Sequence, residues 1–272
     1  YMASHGVKAL MVKTAGKIAG LRKAPVSYDK WLPKHLPTAA QLARQREMEF
    51  AVHPKISIVV PLYRTPKPYL AQLIQSVKDQ TYTNWELCLS DGSGGDSPLK
   101  ETLQRYQKED ERIRVVFHQE SLKIAENTNA AIEAATGEWI AFADHDDVLT
   151  PDALFCCVKE LNEQPQTEII YSDEDKMSMD GNKFFQPHFK PDYNPDLLCT
   201  VNYICHLLVV KRSVIERAGM MRPEYDGAQD YDFIFRCVET SQNIRHIPRI
   251  LYHWRSHESS TSENPESKLY AF

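Results

Sequence analysis

Three acids stand within four positions where an apolar run ends. The stretch "EWIAFADHDDVLTPDAL", residues 138–154, carries Trp139 to Ala143 straight into Asp144, Asp146 and Asp147. Like charges this close repel one another, so gathering them calls for a positive partner. Carboxylate oxygens turned to one point in a loop suit a hard divalent ion, Mg2+ or Mn2+, that keeps positions open for substrate phosphates. A plainer use exists for one of them. Asp147 or Thr150 can cap a helix beginning at Pro151, since proline favours the first helical position. That accounts for one acid, not three.

Other residues with chemical potential fall in short polar stretches. In "LSDGSGGDS" Asp91 closes an apolar run, where its side chain can accept hydrogen bonds from a base or ribose; the glycines equally suit a tight turn. Neither G-x-x-x-x-G-K-[ST] nor G-x-G-x-x-G is present. In "GAQDYD" Asp230 opens a helix, either as its N-cap or as a general base toward a hydroxyl, and Asp232 is then a first-turn acid. In "LYHWRSH" His253 can give a nitrogen to a metal or touch a diphosphate, and Arg255 can grip phosphates; a lone histidine is more often structural, and His257 is a weaker candidate. "YSDEDK" is a solvated acidic turn or places Asp173 or Glu174 toward a sugar or acceptor. Lys190 and Asp192 of "FKPDYNPD" can line the same cleft, while Trp254, Tyr193 and Tyr203 can stack on sugar rings or simply be buried.

These residues need elements to position them. "KISIVVPLY" at 55–63 reads as a buried β-branched strand, followed by "WELCLS", "IRVVFH" and "EWIAFA", with helical stretches near 67–80, 97–109 and 122–135 between them. Such alternation predicts right-handed βαβ units and a mostly parallel, Rossmann-like sheet flanked by helices. Ligands of such sheets bind beyond the carboxyl ends of the strands, where Pro61, Tyr63, Asp91 and the acid cluster fall. After residue 151 the pattern loosens into a helix (151–163), the strands "EIIYS" and "ICHLLVV", helices at 212–218 and 227–239, and a terminal "IRHIPRILYHWR". Between them, residues 173–196 show little periodicity and read as a functional loop region.

The 272 residues suffice for one large α/β domain or two smaller ones, and 42% hydrophobic with 25% charged content is ordinary for a globular chain. The net charge of −5 is uneven. Residues 1–50 hold nine Lys/Arg against three Asp/Glu, so the remainder carries a net −11, which argues against a nucleic-acid partner. Six cysteines without a C-x-x-C pair read as buried thiols of a reduced, cytoplasmic protein. No apolar run approaches the roughly 18 residues of a membrane span. "VKALMVKTAGKIAGLR", residues 7–22, is a helix that docks on the body or a basic amphipathic helix on an anionic membrane surface. A proline-punctuated connector leads from it to a short helix near 38–50.

Taken together, "ISIVVPLY", "QSVKDQTYTNWELCLSDGSGGDS" and "AENTNAAIEAATGEWIAFADHDD" resemble the nucleotide-sugar domain of the family 2 glycosyltransferases, whose fold is called GT-A. Downstream, "YSDEDK", "FKPDYNPDLL", "GAQDYDFIFR" and "HIPRILYHWR" resemble a bacterial branch that builds surface polysaccharides such as O-antigen and capsule. The resemblance spans residues 54–270. It implies a basic helical extension over 1–53 and a GT-A domain over 54–272, with a nucleotide-binding half (54–150) and a smaller, mixed acceptor half (151–272).

The resemblance also implies roles. Asp91 matches the acid that recognises a uracil or thymine base, with Pro61 and Tyr63 lining that pocket. Asp144 should lie against the ribose and Asp146 on a metal, Mn2+ or Mg2+, that bridges the diphosphate. Asp230 matches the base that deprotonates the acceptor hydroxyl; the preceding residue, usually glutamate, is here Gln229. Where many relatives carry arginine in the donor-facing helix this chain has Glu126 and Asn127, so no phosphate-gripping arginine is carried over. The expected activity is inverting transfer from a UDP- or dTDP-sugar to a saccharide or lipid-linked acceptor, with peripheral association at the cytoplasmic face of the inner membrane. The rival readings are a non-catalytic nucleotide-sugar-binding module of a larger polymerase and a sugar nucleotidyltransferase, whose basic glycine-rich loop is missing.

Overall fold

The computed structural model describes residues 26–256, so the stretch at 7–22 and His257 lie outside the described residues. The chain forms two compact units that divide between Leu36 and Pro37. The first contains α1 (Tyr28–His35), where an irregular connector was predicted. Along one face of α1 the Trp31 and His35 rings stack at 3.8 Å, which favours the helix against the backbone bond that Pro33 removes.

The second unit runs α2 (Ala39–Glu47), β1 (Ile56–Leu62), α3 (Lys67–Lys78), β2 (Trp85–Asp91), α4 (Lys100–Glu109), β3 (Ile113–Phe117), α5 (Ile124–Ala134), β4 (Trp139–Phe142), β5 (Val148–Leu149) and α6 (Ala153–Glu163). It continues through β6 (Ile169–Met177), β7 (Phe184–His188), α7 (Pro195–Leu198), β8 (Leu208–Lys211), α8 (Arg212–Ala218), α9 (Gln229–Glu239) and β9 (Ile244–Arg255). No helix among the described residues is long and apolar enough to cross a membrane.

The nine strands among the described residues join one sheet in the order β3-β2-β1-β4-β8-β6-β9-β5, with β7 paired to β6. β1 is buried along its whole length because both its faces carry a core. Ile58, Val60 and Leu62 pack into one core with α3 and α6, while Val59 belongs to the other, with α5, α8 and α9. That is why its sequence shows no polar alternation. β2 and β4 flank it in parallel register, and β3 lies parallel beyond β2. The chain thus moves outward from β1 to β3 and returns to β4 on the other side of β1. This reversal opens a crevice beyond the carboxyl ends of β1 and β4.

Beyond β4 the sheet turns mixed. β8 runs antiparallel to both β4 and β6, β9 runs parallel to β6, and β5 antiparallel to β9. The predicted loop region after "EIIYS" is instead a continuation of β6 to Met177, followed by a hairpin to β7. Its acids survive inside a strand because basic partners stand opposite them. In the β6–β9 register Asp175 faces His253, and Asp173 is paired with His246. Alternating charge of this kind leaves no apolar period for sequence reading to find.

Candidate active site

The acid loop between β4 and β5 hangs from β9. The Asp144 N–H donates to the Tyr252 hydroxyl at 3.0 Å, which itself donates to Asp147 Oδ2 at 2.6 Å. Asp147 Oδ1 accepts from the Arg255 N–H at 2.7 Å, and the residue is wholly buried. Burial, with Asp146 and Asp144 close by, pushes its carboxyl well above the ordinary range. Asp147 is therefore a clasp between loop and strand and is not offered to a ligand. The helix-cap use expected for it does not occur. The Asp144 side chain is half exposed, and Asp146 lies near His145, with 3.6 Å between Oδ1 and Nδ1.

A cavity of about 100 Å³ joins Asp144 to Asp230 and is lined also by Pro61, Phe142, Cys205 and His206. Asp230 sits in the first turn of α9 without capping it; its Oδ2 accepts from Asn202 Nδ2 at 3.0 Å and from the Cys205 thiol at 3.5 Å. Gln229 Oε1 accepts the Gly227 N–H at 2.7 Å and so closes the turn that presents Asp230. Asp232 is held apart from the cavity by Arg222 and Arg236.

Next to it, a second cavity of about 470 Å³ is lined by Pro61, Tyr63, Lys123, Asn127, His145 and Asp226. The Asn127 amide is oriented by its Nδ2–H, which donates to the Leu62 carbonyl at 2.9 Å. Asn127 Oδ1, His145 Nδ1 and Asp226 Oδ2 are buried there without a hydrogen-bond partner. Buried unpaired acceptors are costly, and a ligand that brings donors relieves the cost. Gly92 explains part of the "DGSGG" turn: a Cβ there would come within 2.7 Å of Asn127 Nδ2.

The feature that sequence reading missed is His206. Its backbone N–H and Nδ1 both meet Glu174 Oε2, at 2.6 and 3.1 Å, and Nε2 lies 3.4 Å from Asp144 Oδ2. Its ring stacks on Tyr252 at 4.9 Å. Burial opposes charge on the ring, yet the neighbouring Cys205, Asp144 and Glu174 raise its pKa well above the usual value. For Glu174 burial is likewise outweighed by His188, His206 and Lys190, which hold its carboxyl well below the usual range. Only "ICHLLVV", read as a strand, contained His206, and nothing in its spacing marked it.

Several expected site residues are engaged elsewhere. Asp91 is 1% exposed, lines neither cavity, and accepts from the Ser93 N–H at 3.2 Å and from the Ser97 hydroxyl. It organises the turn. His253 is buried against Phe184, with Nδ1 2.5 Å from Asp175, and is not brought to the acid loop. The alternation of β9 sends Tyr252 and Trp254 toward His206 and His253 the other way. Asp173 accepts from the Lys190 N–H and pairs with His246. The Lys190 side chain is fully buried, its ammonium 2.5 Å from the His206 carbonyl. Tyr203 is buried. Trp254 lies 5.8 Å from the His206 ring and carries Lys176 at 5.7 Å on its face. Arg255 is fully buried, its guanidinium on the carbonyls of Asp146 and Met179, both at 2.6 Å, and on Gln72.

No three His, Cys, Asp or Glu side chains among the described residues converge as a ready-made metal cage. Asp144, which lines the smaller cavity, and Asp146, two residues on, give the loop hard oxygen donors, a pair that fits a Mg2+ or Mn2+ ion completed by water and phosphate oxygens.

Residues 57–218 match the family model described as "Glycosyl transferase family 2". The chain belongs to that family. Among curated family 2 relatives it is 31% identical over 257 residues to the O-antigen biosynthesis protein RfbC of Myxococcus xanthus, covering 92% of this chain and 20% of RfbC. It is 43% identical over 220 residues to the protein y4gI of Sinorhizobium fredii, covering 80% of this chain and 24% of y4gI. The chain thus spans a quarter or less of these relatives. Among solved structures it is similar to Staphylococcus aureus TarS 1–349 in complex with UDP-GlcNAc, with a TM-score of 0.62, 18% identity and coverage of 75% of this chain and 59% of that one. The mannosyltransferase PcManGT of Pyrobaculum calidifontis, in complex with GDP-Man and Mn2+, superposes with a TM-score of 0.57 at 18% identity, covering 79% and 62%. These likenesses show the GT-A fold.

Proposed function

We propose that this chain is an inverting glycosyltransferase that moves a sugar from a UDP- or dTDP-sugar to a hydroxyl of a saccharide or lipid-linked acceptor during assembly of a bacterial surface polysaccharide. The observation that carries the reading is one cavity, at the reversal point of the parallel sheet, lined by Asp144 from the loop after β4 and by Asp230 from α9. Residues 54–150 form the nucleotide-binding half and 151–272 the acceptor half. The nucleoside lies in the larger cavity beside Pro61 and Tyr63, where Asn127 Oδ1 and Asp226 Oδ2 await donors such as a base N–H or a ribose hydroxyl. Asp144 meets the ribose. Asp146 would hold a divalent ion, which would supply positive charge to the departing diphosphate; the UDP-GlcNAc complex of TarS and the GDP-Man and Mn2+ complex of PcManGT support this.

Asp230 takes the proton of the attacking hydroxyl. Its contacts with Asn202 and Cys205 are neutral, so no cation neutralises it among those partners, and a carboxylate within hydrogen-bond reach of the hydroxyl suffices as base. One base and one leaving group amount to direct displacement, hence inversion. Calorimetry with UDP or dTDP, with and without Mn2+, tests the reading, followed by a screen of sugar nucleotides for hydrolysis and transfer. Metal-dependent binding is expected, and Asp230→Asn should retain it while losing turnover. Absence of binding defeats the proposed transfer activity; full turnover in the Asn variant removes Asp230 as base. The basic residues 1–53 fit contact with an anionic membrane surface. Liposome co-sedimentation with and without them decides that point.

A further inference from the structure

The cavity shared by Asp144 and Asp230 has one basic side chain in its lining, that of His206. A sugar diphosphate is strongly anionic and is recognised best by charge-assisted donors. Arg255 cannot serve, because its guanidinium is fully buried on backbone carbonyls and Gln72. Lys190 cannot either, with its side chain fully buried and its ammonium on the His206 and Ile204 carbonyls. His206, by contrast, is held at every point except one. Glu174 takes its backbone N–H and Nδ1, Lys190 takes its carbonyl, and Tyr252 stacks on its ring. Both ring nitrogens face carboxylate oxygens, Nδ1 at 3.1 Å from Glu174 and Nε2 at 3.4 Å from Asp144. Nε2 is the loosely held end, 3.4 Å from an Asp144 oxygen that is itself half exposed.

We propose that His206 donates from Nε2 to an oxygen of the donor's diphosphate, exchanging its contact with Asp144 for one with the leaving group. The inference rests on the glycosyltransferase reading above and adds to it the protein's own phosphate contact. When the donor binds, Asp144 turns to the ribose and releases Nε2. During transfer the anomeric carbon–oxygen bond breaks and its electron pair goes to the phosphate oxygen. The acceptor oxygen bonds to the anomeric carbon, and Asp230 takes the acceptor's proton. His206 keeps its own proton, and its N–H bond to the phosphate oxygen strengthens as charge collects there.

The test compares a nucleoside diphosphate with its bare nucleoside, each with Mn2+: UDP with uridine, dTDP with thymidine, GDP with guanosine. His206→Gln should weaken the diphosphate about tenfold or more, the worth of one charge-assisted bond, and leave the nucleoside unchanged. Equal loss for both means that His206 only shapes the site, and no loss means that it does not touch phosphate; either result overturns the proposal. Should the Gln variant misfold, the imidazole 15N spectrum of the wild-type chain gives the same answer. With Mg2+ in place of the paramagnetic Mn2+, the His206 resonance shifts further with the diphosphate than with the nucleoside, whose ribose alone draws Asp144 from Nε2, and identical responses to both refute the assignment. If the wild-type chain binds none of the three diphosphates, the glycosyltransferase reading fails first and this inference with it.

Discussion

Arg255→Lys separates two roles for one residue. Sequence reading made Arg255 a phosphate grip; the structure makes it a latch that ties the acid loop to two other elements. Its guanidinium faces the Asp146 carbonyl in the loop after β4, the Ser178 and Met179 carbonyls in the turn after β6, and Gln72 on α3. The Tyr69 ring lies 4.4 Å from its Cζ. Lysine keeps the charge and loses the planar fork, so a single ammonium cannot serve three elements at once. At least two acceptors are then stranded. With about 1.5–3 kcal/mol for each bond to a charged donor, the loss is about 3–6 kcal/mol. That is a large part of the roughly 5–15 kcal/mol that holds a domain together. At a urea slope near 3 kcal/mol per molar, the midpoint should fall by about 1–2 M. Metal-dependent UDP binding should weaken as well, because the Asp146 carbonyl loses its anchor. An unchanged urea midpoint with weakened UDP binding would show Arg255 to be a phosphate grip and refute the latch.

Two further outcomes follow from buried charge. Burial opposes ionisation of Glu86, but Lys55, Ser57 and Thr136 outweigh it and lower its pKa from 4.5 to about 2. A depressed carboxyl stabilises above its unfolded value and loses that contribution as pH falls, here between about 4.5 and 2, in total about 3 kcal/mol. Glu86→Gln should therefore lower the urea midpoint at pH 7 and flatten its acid limb; a wild-type acid slope in the variant would sink this account. His253→Ala should destabilise by about 2–4 kcal/mol, through loss of the buried bond to Asp175 and of the ring packed on Phe184, while Mn2+ affinity stays the same. Lost Mn2+ affinity at unchanged stability would return His253 to the metal.

The parallel half was legible because each strand there carries its own signal. β1 is buried on both faces, so an uninterrupted β-branched run marks it, and the turns that follow β1, β2 and β4 announce themselves by proline, glycine and acids. The acid cluster was legible for the same reason, since charge at the end of an apolar run stands out. Its division of labour was not. Asp144 and Asp147 differ by three positions in sequence, yet one meets the cavity and the other is clasped by Tyr252 and Arg255, more than a hundred residues away. Asp91 read as a ligand for a base because a strand-end acid looks alike whether its oxygens face a ligand or its own turn.

In the mixed half the determinants are pairs, and neither member of a pair is informative by itself. Asp173, Glu174 and Asp175 read as a solvated turn until His246, His206 and His253 come to stand beside them. Those partners arrive from a loop and from β9, at separations of 32 to 78 residues. The antiparallel strand β8 does the joining: paired to β4 on one edge and β6 on the other, it carries the Cys205–Leu207 approach directly past the end of β4. A parallel strand at that place would have entered at the far edge of the sheet and brought only its carboxyl end to the acid loop. Antiparallel entry instead sets His206 beside Asp144 as the chain enters the strand, so the topology of one four-residue strand, invisible in its apolar sequence, puts the basic group in the acidic cavity.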